Sequence, residues 1–457
     1  MKSRKILLSL IFTALIGSAF YQACRRRPDV PRNIILFIVD GAGFFHFEAA
    51  SWFSFGSPDS PIFSRFPVRY AVSTYPARGI VYDPEKAWRS FAYVMAGATD
   101  SAAAATAMAT GVKTVNGAIG VDPDRTRLES FVERAERLGK ASGIVSSVLF
   151  SHATPAGFAA HNFNRNRYEE IAREMILESA VDVIMGCGHP MFDMQGQPLE
   201  KPHYRYVGGE ETWKAILEKR AGGDADGDGE LDAWTLIESR SQFQSLGEGV
   251  TPRRILGLPQ IHQTLQQQRA GDVTAPPFFE PLVETVPTLE EMTLGALNLL
   301  DEDPDGFFLM VEGGAVDWAA HSNQTGRMIE ELAAFEAAVR AVMNWVESGS
   351  DWNETLVIVT SDHETGYLTG PGSGQTEAGN NGGGTGLWWP LQGQGQGRMP
   401  LLQWNIKGHT NSLVPFYARG AGSAAFGSHA DRLDPVRGAY LDNTAIGKVI
   451  FSFLDPP

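Results

Sequence analysis

The chain has 457 residues, of which 43% are hydrophobic and 20% are charged. These proportions are those of an ordinary globular protein, and they exclude collagen-like, wholly disordered and polytopic membrane proteins. Lys and Arg number 38 against 53 Asp and Glu, which leaves a net charge of -15. An acidic field of this size repels a polyanion, so nucleic acid is not expected as a specific partner.

The first residues have the form of an export signal. A basic start precedes an apolar run over 6–20, which is too short for a comfortable membrane span. We therefore assign residues 1–23 to a signal and expect an exported protein, either periplasmic or anchored to a membrane as a lipoprotein. Cys24 follows the small residue Ala23 and is the candidate acylated cysteine. Cleavage after Ala19 and an uncleaved anchor are the alternatives.

Strand and helix patterns alternate along the rest of the chain. In chain order they predict a strand at 34–39, a helix at 127–138, a strand at 143–148, a helix at 287–300, a strand at 307–311, a helix at 326–346 and a strand at 356–360. Thr288 and Glu291 have the spacing of a capping box. The alternation predicts an α/β fold with a mostly parallel sheet covered on both faces. We assign residues 28–457 to a single domain.

Two regions interrupt this alternation. Residues 189–285 have no clear period and contain an acidic run and proline-rich turns, so we predict an inserted, partly irregular segment. Residues 366–398 are rich in glycine and predict a long surface loop.

One acidic stretch inside the insert has the spacing of a calcium loop. Its carboxylate residues are Asp224, Asp226, Asp228, Glu230 and Asp232. Gly229 stands at loop position six, but Thr235 occupies position twelve, where a bidentate Glu is expected. The stretch is therefore a candidate Ca2+ site, and a solvated acidic turn is the alternative.

Residue types that bind metals follow all four predicted strands. They are Asp40 after the first strand, His152 and Thr154 after the second, Glu312, Asp317 and His321 after the third, and Asp362 and His363 after the fourth. Ligands of open α/β sheets bind beyond the carboxyl ends of the strands. Asp, Glu and neutral His bind zinc, and carboxylate and hydroxyl oxygens bind magnesium. A single such residue is often structural, but four strands ending in this way predict a metal site.

A serine in the position of a nucleophile precedes an Ala- and Thr-rich stretch. Asp100 and Ser101 come directly before residues 102–110, which predict a helix. Ser101 then lies where free backbone N–H groups and the helix dipole favour a phosphate. An ordinary N-cap at Asp100 or Ser101 is the alternative. A serine hydroxyl is a weak nucleophile, and metal coordination is one way to activate it.

Four motifs, in this order, resemble those of the alkaline phosphatase family. They are Thr-Asp-Ser-Ala at 99–102 with Gly111 closing the helix, Val-Glu-Gly-Gly at 311–314, Thr-Ser-Asp-His-Glu-Thr-Gly at 360–366, and Gly-His-Thr-Asn at 408–411. The resemblance extends from about residue 33 to residue 450. It implies an alkaline-phosphatase-like three-layer α/β/α fold with inserted loops. It also implies hydrolysis of phosphate monoesters through a phosphoserine, at a site with two Zn2+ and one Mg2+.

The resemblance implies a role for each residue of the site. Ser101 would be the nucleophile, and Arg165 would clamp the phosphate through a bidentate fork. The first zinc would be held by Asp317, His321 and His409, the second by Asp40, Asp362 and His363, and the magnesium by Asp40, Thr154 and Glu312. Asp100, His152 and Trp318 would lie next to these residues without themselves binding a metal.

Two positions depart from the pattern of many family members. His152 stands where some members have a second Asp beside the magnesium, and Trp318 stands where several have His or Lys near the phosphate. We expect Trp318 either to affect phosphate release or only to pack against the insert. Five other histidines match no ligand position and are expected to be structural or at the surface: His46, His189, His203, His262 and His429.

Other functions stay open at this point. A phosphodiesterase or sulfatase of the same superfamily is one alternative, and an inactive protein that binds metal or phosphate at the cell surface is another. Thr154 and Glu312 argue against the first, because the resemblance ties the third metal to monoesterases. The filled catalytic positions argue against the second. A monomer and a homodimer are both compatible with the sequence.

Overall fold

The computed structural model describes residues 30–58, 61–225, 228–249, 252–374 and 388–455. Within them the strands are β1 (Asn33–Val39), β2 (Val68–Ser73), β3 (Ala141–Leu149), β4 (Val183–Cys187), β5 (Gly222–Gly223), β6 (Asp232–Ala233), β7 (Thr235–Ile237), β8 (Ile255–Gly257), β9 (Phe307–Gly313), β10 (Thr355–Ser361), β11 (Glu364–Thr365), β12 (Leu368–Thr369), β13 (Gln403–Trp404), β14 (His409–Thr410), β15 (Val414–Gly420), β16 (Arg432–Asp434) and β17 (Gly438–Asp442).

The α-helices of the described residues are α1 (Phe44–Phe55), α2 (Pro84–Ala87), α3 (Phe91–Val94), α4 (Ser101–Thr110), α5 (Phe131–Arg137), α6 (Ala153–Ala159), α7 (Tyr168–Leu177), α8 (Glu210–Leu217), α9 (Arg240–Leu246), α10 (Leu289–Leu300), α11 (Ala315–His321), α12 (Thr325–Gly349) and α13 (Thr444–Leu454). Short 3-10 segments span Ile62–Arg65, Tyr204–Val207 and Ser423–His429. In this part of the chain, none of the helices is long and apolar enough to span a membrane.

One large sheet organises the molecule. Its eleven strands run in the order β16-β17-β2-β15-β10-β1-β9-β3-β4-β8-β7. The pairings from β10 through β7 are parallel, whereas β15 pairs antiparallel with both β10 and β2, and β16 pairs antiparallel with β17. The prediction of an α/β fold with a mostly parallel sheet is confirmed.

The four strands predicted from the sequence are neighbours in this sheet, as β10-β1-β9-β3. Alternate residues of β1 face two separate cores. Ile34, Leu36 and Ile38 pack with residues of α4, α5 and α13, whereas Ile35, Phe37 and Val39 pack with residues of α10 and α12. Because the strands are buried on both faces, their sequences read as continuous apolar runs. The layers are therefore helix, sheet and helix, and the carboxyl ends of the four strands lie side by side.

Several elements differ from the sequence predictions. The helix predicted from residue 127 begins at Phe131, because Ser130 and Glu133 form a capping box there. The predicted insert supplies β7 and β8, which extend the sheet beyond β4. Strands of three residues are too short to show a period. The division of the chain into one domain with an insert stays a prediction. Within the predicted glycine-rich loop, residues 375–387 lie outside the described residues.

Candidate active site

All eight predicted metal ligands come together at the carboxyl edge of the central strands. Asp40 follows β1, Glu312 lies at the end of β9, and Asp362 and His363 follow β10, while Thr154 lies on α6, Asp317 and His321 on α11, and His409 on β14. Each of these side chains is buried or half-buried. The sheet therefore gathers into one place residues that are as far apart in the chain as 40 and 409.

A glycine allows the backbones of two site elements to approach closely. Gly41 has a φ of +82°, and a Cβ atom at this position would lie 2.7 Å from the Cα atom of Asp317. Only glycine accepts that backbone conformation without strain and leaves room for α11. The Gly41 N–H also donates to Asp362 Oδ1 over 3.1 Å. The turn after β1 thus lies against both Asp317 of α11 and Asp362.

Carboxylates and imidazoles form three overlapping groups, within each of which the potential ligand atoms lie within 4.8 Å of one another. The groups are Asp317 with His363 and His409, Asp40 with Asp362 and His363, and Asp40 with His152 and Glu312. His363 belongs to the first two groups and Asp40 to the last two. The arrangement is one connected cluster rather than three separate sites.

His321 lies beside the first group. Its Nε2 atom is 3.2 Å from Asp317 Oδ2 and 3.0 Å from His409 Nε2, because α11 places residues 317 and 321 one turn apart. The Nδ1 atoms of the two histidines bond to backbone carbonyls, that of His321 to Lys407 and that of His409 to Thr99. When one ring nitrogen donates to a carbonyl, the other keeps its lone pair for a metal.

His152 lies beside the predicted magnesium ligands, where the resemblance places it. Its Nδ1 atom is 3.9 Å from Asp40 Oδ2, and it belongs to the group with Asp40 and Glu312. Thr154 is fully buried in the same place, and the Ser146 hydroxyl donates to Glu312 Oε2. The structure therefore places His152 beside these ligands. The Arg165 guanidinium, which can only donate, lies 3.2 Å from His152 Nε2, so Nδ1 of the neutral ring carries the proton.

The unpartnered polar atoms of this cluster test whether it suits cations. Six buried atoms find no hydrogen-bond partner among the described residues: Asp40 Oδ1 and Oδ2, Asp362 Oδ2, Glu312 Oε1, His152 Nδ1 and Thr154 Oγ1. Burying a carboxylate without a partner is strongly unfavourable. Zn2+ takes carboxylate oxygen and imidazole nitrogen donors, and Mg2+ takes oxygen donors. The residues present therefore fit divalent cations.

The pKa values of the cluster point the same way. Burial, followed by the charge of Asp362, raises the pKa of Asp40 well above its ordinary value. Burial raises the pKa of Glu312 to about 7 and lowers the pKa of His152 to about 3. For Asp317, burial alone would raise the pKa, but the hydrogen bond from His321 and the charges of nearby imidazoles bring it below the ordinary range. Packed carboxylates of this kind need positive charge between them.

Ser101 is the first residue of α4, as the sequence predicts. Its side chain is 1% exposed, and its Oγ atom lies 3.2 Å from His363 Nε2. Asp100 is the N-cap and accepts from the Ala103 N–H over 3.0 Å. All ten residues of α4 are buried, because their small side chains let neighbouring elements approach closely. The serine hydroxyl thus stands at the positive end of a helix and against the second metal group.

Arg165 reaches the same place from the loop before α7. Its Nη1 atom donates to Asp100 Oδ2 over 3.0 Å, and its Nη2 atom lies 3.2 Å from His152 Nε2. Asp100 also accepts from the Gly117 N–H over 2.9 Å. Asp100 is therefore more than a helix cap, because it also holds the Arg165 guanidinium beside the start of α4.

An open cleft of about 490 Å³ leads to these residues. Trp318 lines it and contacts His152 edge to face, with 5.7 Å between ring centroids. Gln267 and Gln268, from the predicted insert, line the cleft too, as does Tyr168 of α7. The sequence analysis missed these three residues. They lie in segments with no motif, and no pattern in the sequence would have found them.

The remaining predicted sites are separate from this cluster. His46, His189, His203, His262 and His429 stay outside the metal groups found in the described residues. His46 is fully buried, and its Nε2 lies 3.0 Å from the Thr365 carbonyl, which is a structural role. In the candidate calcium loop, Asp226 lies outside the described residues, and Asp228 Oδ1 accepts from the Glu230 N–H over 2.8 Å. Calcium binding there stays a prediction.

The model of the alkaline phosphatase family matches residues 31–383. The chain belongs to this family. Alkaline phosphatase 3 of Bacillus subtilis is 30% identical over 379 residues, which cover 79% of this chain and 68% of that protein. The repressible alkaline phosphatase of Saccharomyces cerevisiae is 31% identical over 376 residues, covering 79% of this chain and 59% of that protein.

Solved structures of alkaline phosphatases agree with this assignment. The alkaline phosphatase from the Antarctic bacterium TAB5 has a TM-score of 0.62 at 26% identity, and the match covers 93% of this chain and 98% of that one. A His-to-Asp variant of the TAB5 enzyme with magnesium in its M3 site has a TM-score of 0.63 at 25% identity, with the same coverage. The predicted family and fold are confirmed. The alkaline phosphatase family is one of phosphoric monoester hydrolases, and that predicted enzyme class is confirmed as well.

Proposed function

We propose that this protein hydrolyses phosphate monoesters through a phosphoserine at Ser101. The observation that carries the proposal is the position of the Ser101 hydroxyl. It lies at the start of a buried helix, 3.2 Å from His363 Nε2, within a cluster of carboxylates and imidazoles. A nucleophile, a phosphate-binding helix end and candidate metal ligands thus share one cleft.

The donor atoms divide naturally among three cations. Asp317, His321 and His409 would hold one Zn2+, Asp40, Asp362 and His363 a second, and Asp40, Thr154 and Glu312 one Mg2+, with His152 beside them. Bound divalent cations at such a site polarise phosphoryl oxygens and lower the pKa of a coordinated hydroxyl or water. A His-to-Asp variant of the TAB5 enzyme binds magnesium in its M3 site, which supports magnesium as one of the ions that a protein of this fold can hold.

The side chains divide the work of two displacements. Arg165, held by Asp100, binds two phosphoryl oxygens in a bidentate fork. Ser101 Oγ gives up its proton and attacks phosphorus, the bond to the ester oxygen breaks, and that oxygen takes up a proton and leaves as the alcohol. Water then gives up a proton and attacks the phosphorus of phosphoserine, the bond to Oγ breaks, Oγ takes up a proton again, and phosphate leaves. Two inversions retain the configuration at phosphorus.

Acid quenching during turnover of a radiolabelled monoester tests the intermediate. The wild-type protein should trap up to one phosphate per chain on Ser101, and Ser101→Ala should trap none and lose most activity. The control is Ser245→Ala, at an exposed serine of α9 whose hydroxyl only donates to the Ser241 carbonyl. Phosphate trapped on another residue would rule out Ser101 as the nucleophile.

A matched diester separates the proposed activity from that of a phosphodiesterase. In our proposal Arg165 and the N-terminus of α4 bind a terminal phosphoryl group. A monoester should therefore be cleaved much faster than its methyl diester. A faster diester would favour the related diesterase function. Tight phosphate binding without turnover by the zinc-loaded protein would favour an inactive binder.

We further propose export, with lipid attachment at Cys24. The basic start and the apolar run before Cys24 support this, although both lie outside the described residues. Mass spectrometry of the mature N-terminus tests it. An unmodified N-terminus at Phe20 would mean a soluble periplasmic protein.

A further inference from the structure

The cleft over Ser101 has an inner and an outer half of different chemistry. The inner half holds Ser101, Arg165 and the candidate metal ligands. Six residues make up the outer half: Asn166, Tyr168, Gln267, Gln268, Trp318 and Ser322. None of these six carries a formal charge, whereas two are aromatic and three are carboxamides. A volume of about 490 Å³ is that of a site for a whole organic ligand rather than for phosphate alone.

Each of the two aromatic rings contacts a neighbouring ring. Tyr168 packs edge to face on Tyr206, with 5.1 Å between ring centroids, and the Arg205 guanidinium lies 5.0 Å from the Tyr168 ring centroid. Trp318 is held by its contact with His152. Both rings are only half-buried. Rings braced in this way keep surface for a ligand without losing side-chain entropy when it binds.

A buried ion pair holds the carboxamide wall in place. Arg269 Nη1 and Nη2 each donate to the Glu330 carboxylate over 2.8 Å, and the two side chains are 1% and 5% exposed. Gln267, two residues away, donates from Nε2 to Gln324 Oε1 over 2.9 Å. The side-chain oxygens of Gln267 and Gln268 are buried and find no donor among the described residues. Asn166 adds an exposed carboxamide to the same cleft, so hydrogen-bonding capacity lies close to the two rings.

We propose that this outer half is a subsite for a flat heteroaromatic leaving group, so that nucleoside 5′-monophosphates are preferred substrates. The inference rests on the proposed function, because it takes phosphate transfer to Ser101 as given. Aromatic side chains stack on any nucleobase, and carboxamides bond to its amino and ring-nitrogen edges. The lack of charge in the outer half disfavours leaving groups that carry a second phosphate or an ammonium group.

Two substrates that differ only in the base test this subsite. Adenosine 5′-monophosphate and methyl ribofuranoside 5-phosphate both release a primary 5′-hydroxyl, so their chemistry at phosphorus is the same. The kcat/KM of the metal-loaded enzyme should be about tenfold or more higher for the nucleotide, which is the size of one base-aromatic stack. Tyr168→Leu and Trp318→Leu should each move this ratio toward one, while Tyr168→Phe and Trp318→Phe should preserve it.

The ratio is compared within each variant, so a general loss of activity cancels. Equal kcat/KM for the two substrates in the wild-type enzyme would overturn the subsite and leave the phosphatase function standing. A ratio that both leucine variants leave unchanged would overturn it too. Failure to hydrolyse either substrate would overturn the proposed function and the subsite together.

Discussion

Replacing Arg269 with methionine should loosen the wall of the cleft and leave the metal cluster in place. All five guanidinium N–H groups of Arg269 are used. Two donate to Glu330, and the others donate to the carbonyls of Gln266, Glu280 and Pro281. Methionine keeps the volume but leaves the Glu330 carboxylate buried with only the Phe278 N–H at 2.6 Å and Arg327 Nη1 at 3.5 Å.

The expected loss follows from the burial of this pair. Breaking a fully buried ion pair by removing one partner destabilises a protein by about 3–5 kcal/mol when the remaining charge has no other partner. Because Arg327 Nη1 stays 3.5 Å from the Glu330 carboxylate, the loss here should lie near the lower end of that range. If the whole molecule unfolds cooperatively, urea unfolding measures this loss as a lower free energy of unfolding. If only the segment opens, hydrogen exchange at the Phe278 amide should speed up by on the order of a hundredfold. A weakened wall should also raise KM for nucleotides more than it lowers kcat.

Arg340→Met is the matched control, because Arg340 lies on α12, the helix that carries Glu330. Its ion pair with Glu336 spans 3.1 Å, and the Arg340 side chain is 49% exposed, so the loss should be below about 1 kcal/mol. The double variant Arg269→Met/Glu330→Leu should recover part of the stability, since it removes the stranded charge. If Arg269→Met changes neither unfolding nor Phe278 exchange more than the control does, the ion pair does not hold the wall.

Three further predictions follow from the site and from α12. Chelation should abolish activity, and Zn2+ with Mg2+ should restore it. Among the steps of the reaction, His409→Ala should slow the hydrolysis of the phosphoserine most. Full activity in protein that elemental analysis finds metal-free would contradict the proposal. Trp318→Lys should lower both the phosphate inhibition constant and kcat, because a cation binds product as well as substrate; an unchanged inhibition constant in a folded, zinc-loaded variant would exclude Trp318 from product release. Burial, with the charge of Glu330, raises the pKa of Glu331 to about 8. In the folded protein Glu331 therefore keeps a proton that it loses near pH 4.5 in the unfolded chain. The free energy of unfolding should fall as the pH rises from about 4.5 to 8. Glu331→Gln should flatten that decline and stabilise the protein by roughly 2–4 kcal/mol at pH 9; parallel urea curves for the two proteins at pH 5 and 9 would refute this.

The four central strands, β10, β1, β9 and β3, were predictable for a physical reason. They are buried on both faces, so each is a continuous apolar run, and the polar residue that ends it stands out. Asp40 and Asp362 could be named as candidate metal ligands on that basis alone. His321 followed from its helical spacing to Asp317. His409 and Arg165 came only through the resemblance, since no local pattern marks them.

The cleft walls could not be predicted from the sequence. Gln267 and Gln268 lie in a segment without regular structure, and their position depends on the contact between Arg269 and Glu330, which are 61 residues apart. Contacts between distant segments of irregular chain leave no period in the sequence.

The burial of α4 bears on how the enzyme should fail on heating. Every residue of this helix is buried, and it packs against α6 and α13, so it cannot fray without opening the core. The His321 side chain, by contrast, is 40% exposed at the rim of the site. Thermal inactivation should therefore begin at the rim, with loss of ligand geometry around His321, while the helix that carries Ser101 is still intact. Brief heating would then yield a folded, inactive protein that regains activity when metal is supplied, rather than an unfolded one.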